Sequence, residues 1–239
     1  MNLTLIPEEL LAFNEFDEWR NALAVLAAAY PAEWKDIVDI LATFRLLRTD
    51  LGEAGEKGGG KSKIAIRMDR MFRSKGWAPR EFATSIMVDD VRMESPTHEV
   101  DCFKGKVAVE LEWNNKTEFY DRDLNNFRLL FDLRAADVGV IITRCDELQD
   151  VFDGLGRGSS YGSTTTILSK LQRKLKGGAG GGCPILAVGM RKALYVDDVS
   201  DSRLGAGFEP IMRGDRRRKT TVADISEKPT NAQPTDATG

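Results

Sequence analysis

Asp101, Glu110 and Glu112 are the side chains of this sequence whose types and spacing can do chemistry together. They fall in the segment EVDCFKGKVAVELEWNNK, which alternates as a strand does, so side chains two apart share a face. Val107, Val109, Leu111 and Trp113 then face a core, while Glu110 and Glu112 face the other way, about 7 Å apart along the strand. A turn at Lys104-Gly105 folds the preceding strand back and brings Asp101 close to Glu110. Three carboxylates at the edge of an apolar sheet repel one another unless a cation sits among them, and a hard, oxygen-seeking ion such as Mg²⁺ meets that need. The same alternation also describes a half-exposed edge strand with solvated glutamates and no ion.

Composition narrows the chemistry further. The chain has 239 residues, 42% hydrophobic and 30% charged, which suits one medium-sized domain with a substantial core. His98 is the only histidine, so no site needing two imidazoles can form within one chain. It reads as a strand residue rather than a base. Cys102, Cys145 and Cys183 are odd in number and widely spaced, which supports neither a disulfide framework nor a cysteine-rich zinc site. No apolar run approaches the roughly 20 residues that span a bilayer. The opening MNLTLIPEELLAFNEF carries acids where a secretory signal has bases, so a cytoplasmic protein is expected. The net charge of −3 hides an asymmetry: Met1 to Glu56 holds eleven acids against four bases, whereas the chain from Lys57 onward holds 30 bases against 26 acids. A mildly basic body can frame a phosphate-binding groove, and it is equally what ordinary solvated charge looks like.

The elements that must position these residues follow along the chain. Pro7-Glu8-Glu9 suits a helix N-terminus, and Leu10, Leu11, Phe13, Phe16 and Trp19 continue at roughly helical spacing. Ala22 to Tyr30 is strongly helix-forming, Pro31 breaks the run, and a second helix presents Trp34, Ile37, Val38, Ile40, Leu41, Phe44 and Leu47. Residues 64–74 form another, ended by Gly76. FATSIMVDD, Thr97 to Phe103 and KVAVELEW read as three strands. Asp121 to Ala135 reads as a helix, with Leu124, Phe127, Leu130 and Phe131 on one side. VGVIITR and CPILAVGM are strands buried on both faces, with loops at GLGRGSSYGSTTT and GGAGGG and a helix over Thr166 to Lys176.

This order predicts an α/β fold with a central mixed sheet flanked by helices. Residues 1–56 form an N-terminal helical region packed on the core, residues 57–212 the core, and residues 213–239 a basic, then disordered tail. One motif is a decoy. Gly55, Gly60, Lys61 and Ser62 fit the P-loop letter for letter, but a P-loop needs a strand before it, and Leu41 to Thr49 reads as helix. The segment therefore reads as a flexible linker rather than the site of a nucleotide hydrolase.

Asp101, Glu110 and Glu112 at these intervals resemble the PD-(D/E)XK nuclease motif. The longer blocks VDCFKGKVAVELEWNNKTEFYDRDLNNFRLLFD, VGVIITR and SSYGSTTT resemble the BglII/BstYI family of type II restriction endonucleases, with BamHI a more distant structural relative. The resemblance runs from about Lys61 to Gly189. It implies a restriction-endonuclease-like fold and Mg²⁺-dependent hydrolysis of double-stranded DNA, with Mn²⁺ as a substitute. It further implies a homodimer, a short palindromic target with a GATC core, and a DNA methyltransferase paired with the enzyme for host protection. Asp101, Glu110 and the Leu111 carbonyl would coordinate the ion. Glu112 stands where most of the superfamily has lysine, although glutamine or glutamate is known there in this branch. General base, second-metal ligand and orienter of the attacking water all stay open for it. Some relatives add an acid or amide from the helix before the strands, for which Glu81 is the candidate, against its plainer reading as a solvated charge.

The same resemblance assigns DNA contacts. Asn114 and Asn115 follow the catalytic strand, Lys116 would meet phosphate, Arg122 begins the next helix, and Arg144 ends VGVIITR. Ser159, Ser160, Tyr161 and Thr164 lie in a loop able to wrap the duplex. Asparagine matches adenine and arginine matches guanine in the major groove. Each also has a structural reading: asparagine in a turn, Asp121-Arg122-Asp123 as a helix cap and local ion pair, Tyr161 as a packed ring. A DNA-binding protein that keeps the fold without the chemistry is the alternative, and the intact carboxylate set argues against it.

Overall fold

The computed structural model describes residues 1–51, 62–94, 97–162 and 164–200. In chain order its elements are α1 (Glu8–Leu11), β1 (Asn14–Trp19), α2 (Ala22–Ala29), α3 (Pro31–Thr43), β2 (Leu46–Leu47), α4 (Arg48–Leu51), α5 (Lys63–Ser74), β3 (Ala78–Arg80), β4 (Ser85–Val88), β5 (Val91–Glu94), β6 (Val100–Lys104), β7 (Val107–Leu111), α6 (Phe119–Asp132), β8 (Val138–Arg144), α7 (Leu148–Gly154), α8 (Leu168–Lys176), β9 (Ile185–Met190) and β10 (Tyr195–Val196). The central sheet has the order β1-β9-β8-β7-β6-β3. Strands β7, β8 and β9 run parallel, and β6 and β1 flank them antiparallel. The mixed sheet flanked by helices is the fold expected from the sequence.

Two cores explain the layering. On one face Val107, Val109, Val140, Ile142 and Leu186 pack with Leu23, Leu26, Ile37, Ile40 and Phe72 from α2, α3 and α5. On the other, Ala108, Ile141, Ile185 and Ala187 pack with Leu124, Phe127 and Leu130 of α6 and Leu168, Leu171 and Leu175 of α8. The acidic N-terminal helices thus cover the sheet. Helix α6 lies close because β8 offers no side chain at Gly139: a Cβ there would stand 2.3 Å from Cδ2 of Phe127. Gly139→Ala is expected to push α6 outward and to cost about 1–3 kcal/mol, the usual penalty of overpacking, read by thermal denaturation.

Several elements differ from the sequence expectation. Helical spacing through Phe13, Phe16 and Trp19 is overridden after Leu11: residues 14–19 form an edge strand that pairs with β9 at six consecutive positions. Helix α3 ends at Thr43, and Phe44 and Leu47 are buried from extended or two-residue strand backbone. FATSIMVDD does not join the main sheet; β4 turns at Asp89-Asp90 into β5, a separate hairpin. The short strand β3 and helix α7 fall where no element was expected. His98 is exposed and precedes β6 rather than lying within a strand. Of the P-loop match only Ser62 is described, and its Oγ accepts the Ala65 N–H at 3.2 Å as the N-cap of α5. The linker around Gly55, the expected boundaries near residues 56 and 212, and the tail lie outside the described residues. Among the described residues no helix is long and apolar enough to cross a membrane.

Candidate active site

Strand β7 is central, not an edge. It pairs with β6 on one side and β8 on the other, and all five of its residues are buried, which removes the reading of Glu110 as a solvated edge glutamate. Its antiparallel pairing with β6 runs from Lys104↔Val107 to Cys102↔Val109. At the next position side chains replace the ladder. Oδ2 of Asp101 accepts the Leu111 N–H at 3.0 Å, and Oε2 of Glu110 accepts the Asp101 N–H at 3.4 Å. Each carboxylate therefore holds the other strand's backbone. Because an extended residue sends its N–H and C=O to the same side, the Leu111 carbonyl faces Asp101 as well. On the far side β7 stays zipped to β8, and the Glu112 N–H donates to the Ile142 carbonyl at 2.9 Å.

Glu110 and Glu112 are each only 1% exposed. Burial, then the charges of Asp123 and Asp101, pushes the Glu110 carboxyl well above its ordinary range. Burial and Asp123 push Glu112 up to about 8. Oε1 of Glu110 has no hydrogen-bond partner. Oε2 of Glu112 accepts Asn115 Nδ2 at 2.9 Å, and its Oε1 meets Nη2 of Arg122 at 3.3 Å. Asp123, absent from the sequence-derived site, is the third buried acid, and burial raises its pKa also. The signal was present in the sequence: Asp123 lies on the apolar stripe Tyr120, Leu124, Phe127, Leu130 at helical spacing, where a carboxylate is out of place. Asp69 on α5 is a further buried acid, with the Cys102 thiol, one residue from Asp101, 3.9 Å from its Oδ1. Glu81 sits exposed beyond the end of β3.

An oxygen-rich, half-satisfied donor set suits a hard divalent cation. Asp101 and Glu110 lie against each other across β6 and β7, and one buried oxygen of Glu110 has no hydrogen-bond donor. As the side chains stand, no three acidic, histidine or cysteine groups among the described residues converge closely enough to hold a metal ion. Asp101 is engaged by a backbone N–H, and Glu112 and Asp123 by the Arg122 guanidinium.

The DNA-contact candidates separate into two groups. Lys116, Ser159, Ser160 and Thr164 are exposed, and Asn114, Asn115 and Arg122 are partly so. Asn114 occupies the left-handed region at φ 60°, the turn geometry that asparagine tolerates. Arg144 and Tyr161, in contrast, are buried at 1% and 5% exposure. Nη2 of Arg144 donates to the Tyr161 carbonyl at 2.8 Å and to Thr165 Oγ1 at 2.9 Å. The Tyr161 ring stacks on Phe152 at 4.0 Å, which bears out the packed-ring reading. Both residues brace the loop from beneath instead of facing outward. That loop is tied to the one after β7: Thr117 N–H donates to the Thr164 carbonyl at 3.0 Å, and Thr166 N–H to that of Asn115 at 2.8 Å. The loop after β7 leaves the carboxyl end of a parallel strand, the sheet edge where α/β proteins place ligands, and the second, which follows α7, is held beside it. Arg144→Met is expected to free the chain at Tyr161 and Thr165 that it braces; losing about 1.4 kcal/mol of bracing speeds local opening tenfold, read as faster tryptic cleavage at Arg157.

The sequence family described as restriction endonuclease BglII/BglIII matches residues 14–190, well over half of the chain. The chain belongs to that family. It is therefore a type II restriction endonuclease, a hydrolase that acts on DNA, and its central sheet is the restriction-endonuclease-like fold. The match begins at β1 and ends at β9, so it takes in the whole six-stranded sheet and all its covering helices except α1. No curated protein matches the chain.

Proposed function

We propose that this BglII-family endonuclease is Mg²⁺-dependent and cuts both strands of a short palindrome as a homodimer, with Asp101, Glu110 and Glu112 at its catalytic centre. The observation that carries this reading is the exchange between β6 and β7, in which Asp101 and Glu110 each hold the other strand while Glu110 keeps a buried oxygen without a donor. Asp101, Glu110 and the Leu111 carbonyl are the residues that would hold the ion. Bound there, Mg²⁺ would supply a water of lowered pKa and neutralise charge on the leaving oxygen. Glu112 lies beside this set, where it can orient the attacking water or hold a second ion, and Asn115 fixes its carboxylate through Oε2. Lys116 reaches the phosphate backbone, Asn114 and Asn115 the base edges after β7, and Ser159, Ser160 and Thr164 those presented by the second loop. Arg144 and Tyr161 serve recognition by holding that loop in shape.

Two active sites are needed to cut both strands, and a two-fold dimer mirrors a palindrome. A GATC core is the target that the family resemblance suggests. A restriction enzyme of the cytoplasm also needs a methyltransferase of matching specificity to protect host DNA. Incubation of the purified protein with unmethylated phage DNA, with and without Mg²⁺, tests the whole reading when fragment ends are sequenced. Discrete Mg²⁺-dependent fragments with common ends are expected. DNA left intact in Mg²⁺ and in Mn²⁺ on several unmethylated substrates would favour a protein that binds DNA on the same fold without cutting it.

A further inference from the structure

Asp123 has no part in the assignments above, yet it is the most completely buried carboxylate among the described residues, at 0% exposure. A buried acid is tolerated when its lone pairs are filled. Asp123 meets half of that condition. Its Oδ1 takes Nε of Arg122 at 2.9 Å and Nη2 at 2.8 Å, its Oδ2 takes no hydrogen bond from any amide, hydroxyl or cationic group, and its carboxyl lies within hydrogen-bonding reach of that of Glu112. Oε1 of Glu110, equally buried, takes no such bond either. The same Arg122 Nη2 reaches Oε1 of Glu112 at 3.3 Å, so one guanidinium bridges two carboxylates from different elements, β7's end and α6. Arg122 itself is not locked in. Its side chain is 35% exposed and lies over the Phe119 ring at 4.3 Å, on the first turn of α6 beside the loop after β7.

We propose that Asp123 is a further carboxylate of the metal centre, pairing with Glu112 to hold a divalent cation, and that Arg122 fills this place in the metal-free protein as a removable counter-cation. The inference rests on the reading of Asp101, Glu110 and Glu112 as a metal-dependent centre and adds a residue and an exchange to it. Two carboxylates that share a guanidinium at these distances offer a hard cation the same oxygens once the guanidinium leaves. A guanidinium so released carries its forked donors to a DNA phosphate. Cation and Arg122 then compete for the same oxygens. Linkage makes the effect reciprocal: loading the cation frees Arg122 for DNA, and DNA that captures Arg122 tightens the cation.

Mn²⁺ binding to the full-length protein without DNA tests this, with free Mn²⁺ followed by its electron paramagnetic resonance signal. Wild type is expected to show two classes of site. Asp123→Asn should lose one class and keep the other, and Asp101→Asn should do the reverse. Arg122→Gln, which leaves every carboxylate in place, should bind Mn²⁺ about tenfold or more tightly at the Asp123 site, equal to about 1.4 kcal/mol of removed competition. Thermal denaturation establishes that Asp123→Asn is folded; should it not fold, Arg122→Gln decides alone. Unchanged stoichiometry and affinity in folded Asp123→Asn, or no tightening in Arg122→Gln, overturns the inference and leaves the Asp101 and Glu110 site standing. A wild-type protein that binds no Mn²⁺ at all overturns the metal-dependent reading itself, and this inference with it.

Discussion

Glu110→Gln is expected to give an inactive nuclease that is more resistant to heat than the wild type when no metal is present. The loss of activity follows from placement. Glu110 would hold the ion that neutralises charge developing on the phosphate, and loss of that stabilisation costs about 10²–10³-fold or more in cleavage rate. The gain in stability follows from burial. The Glu110 carboxyl is pushed well above its usual range by burial and by Asp123 and Asp101, so folding must keep a group protonated that the unfolded chain ionises. Glutamine is neutral, has nearly the same shape, and still offers the Asp101 N–H an acceptor. Above the ordinary carboxylate pKa the variant should therefore melt at a higher temperature than wild type, and saturating Mg²⁺ should narrow the gap by stabilising the wild type more. Asp101→Asn should lose cleavage to a similar extent without that gain, because Asp101 is half-buried and already receives the Leu111 N–H. Single-turnover cleavage of unmethylated DNA and melting with and without Mg²⁺ are the measurements. A Glu110→Gln enzyme that cuts at the wild-type rate would remove Glu110 from the metal set.

What could be read from the sequence was what local pattern encodes. Period-two alternation placed Glu110 and Glu112 on one face, and Lys104-Gly105 marked the turn that sets Asp101 against Glu110; Gly105 adopts φ 58° there. The all-apolar runs of β8 and β9 likewise announced strands covered on both faces. Residues 13–19 were illegible because Phe13, Phe16 and Trp19 satisfy helical spacing, while the strand they join is dictated by the open edge of β9, far away in the chain. Arg144 stood among the DNA contacts because the family resemblance places one at the end of this strand; what buries it is the chain around Tyr161 and Thr165 folding over it, which the strand's own pattern does not encode. Asp123 was hidden differently. Its position on the apolar stripe of α6 was visible, but its neighbours are Glu112, just past β7, and Glu110 within it, and it is the packing of α6 on the sheet that brings them together.

The metal-free protein is expected to lose stability as pH rises from about 5 to about 8. Glu112 decides the window: burial first, then the charge of Asp123, lift its carboxyl from the ordinary 4.5 to about 8. Below the ordinary value the group is protonated in both states and costs nothing. Between the two values the unfolded chain sheds the proton and the folded protein retains it, so stability falls with every step in pH. Past about 8 the folded state ionises as well and the loss, on the order of a few kcal/mol, is complete. Glu112→Gln should flatten the profile of melting temperature against pH measured in EDTA. The cation reverses the sign, because it binds the ionised carboxylates and expels their protons. Mg²⁺ should therefore bind more tightly with rising pH across the same window and release protons, seen calorimetrically as a heat that changes with the buffer's ionisation enthalpy. A flat wild-type profile in EDTA would mean that Arg122 and Asn115 already compensate an ionised Glu112, and that the site waits for its cation charged rather than protonated.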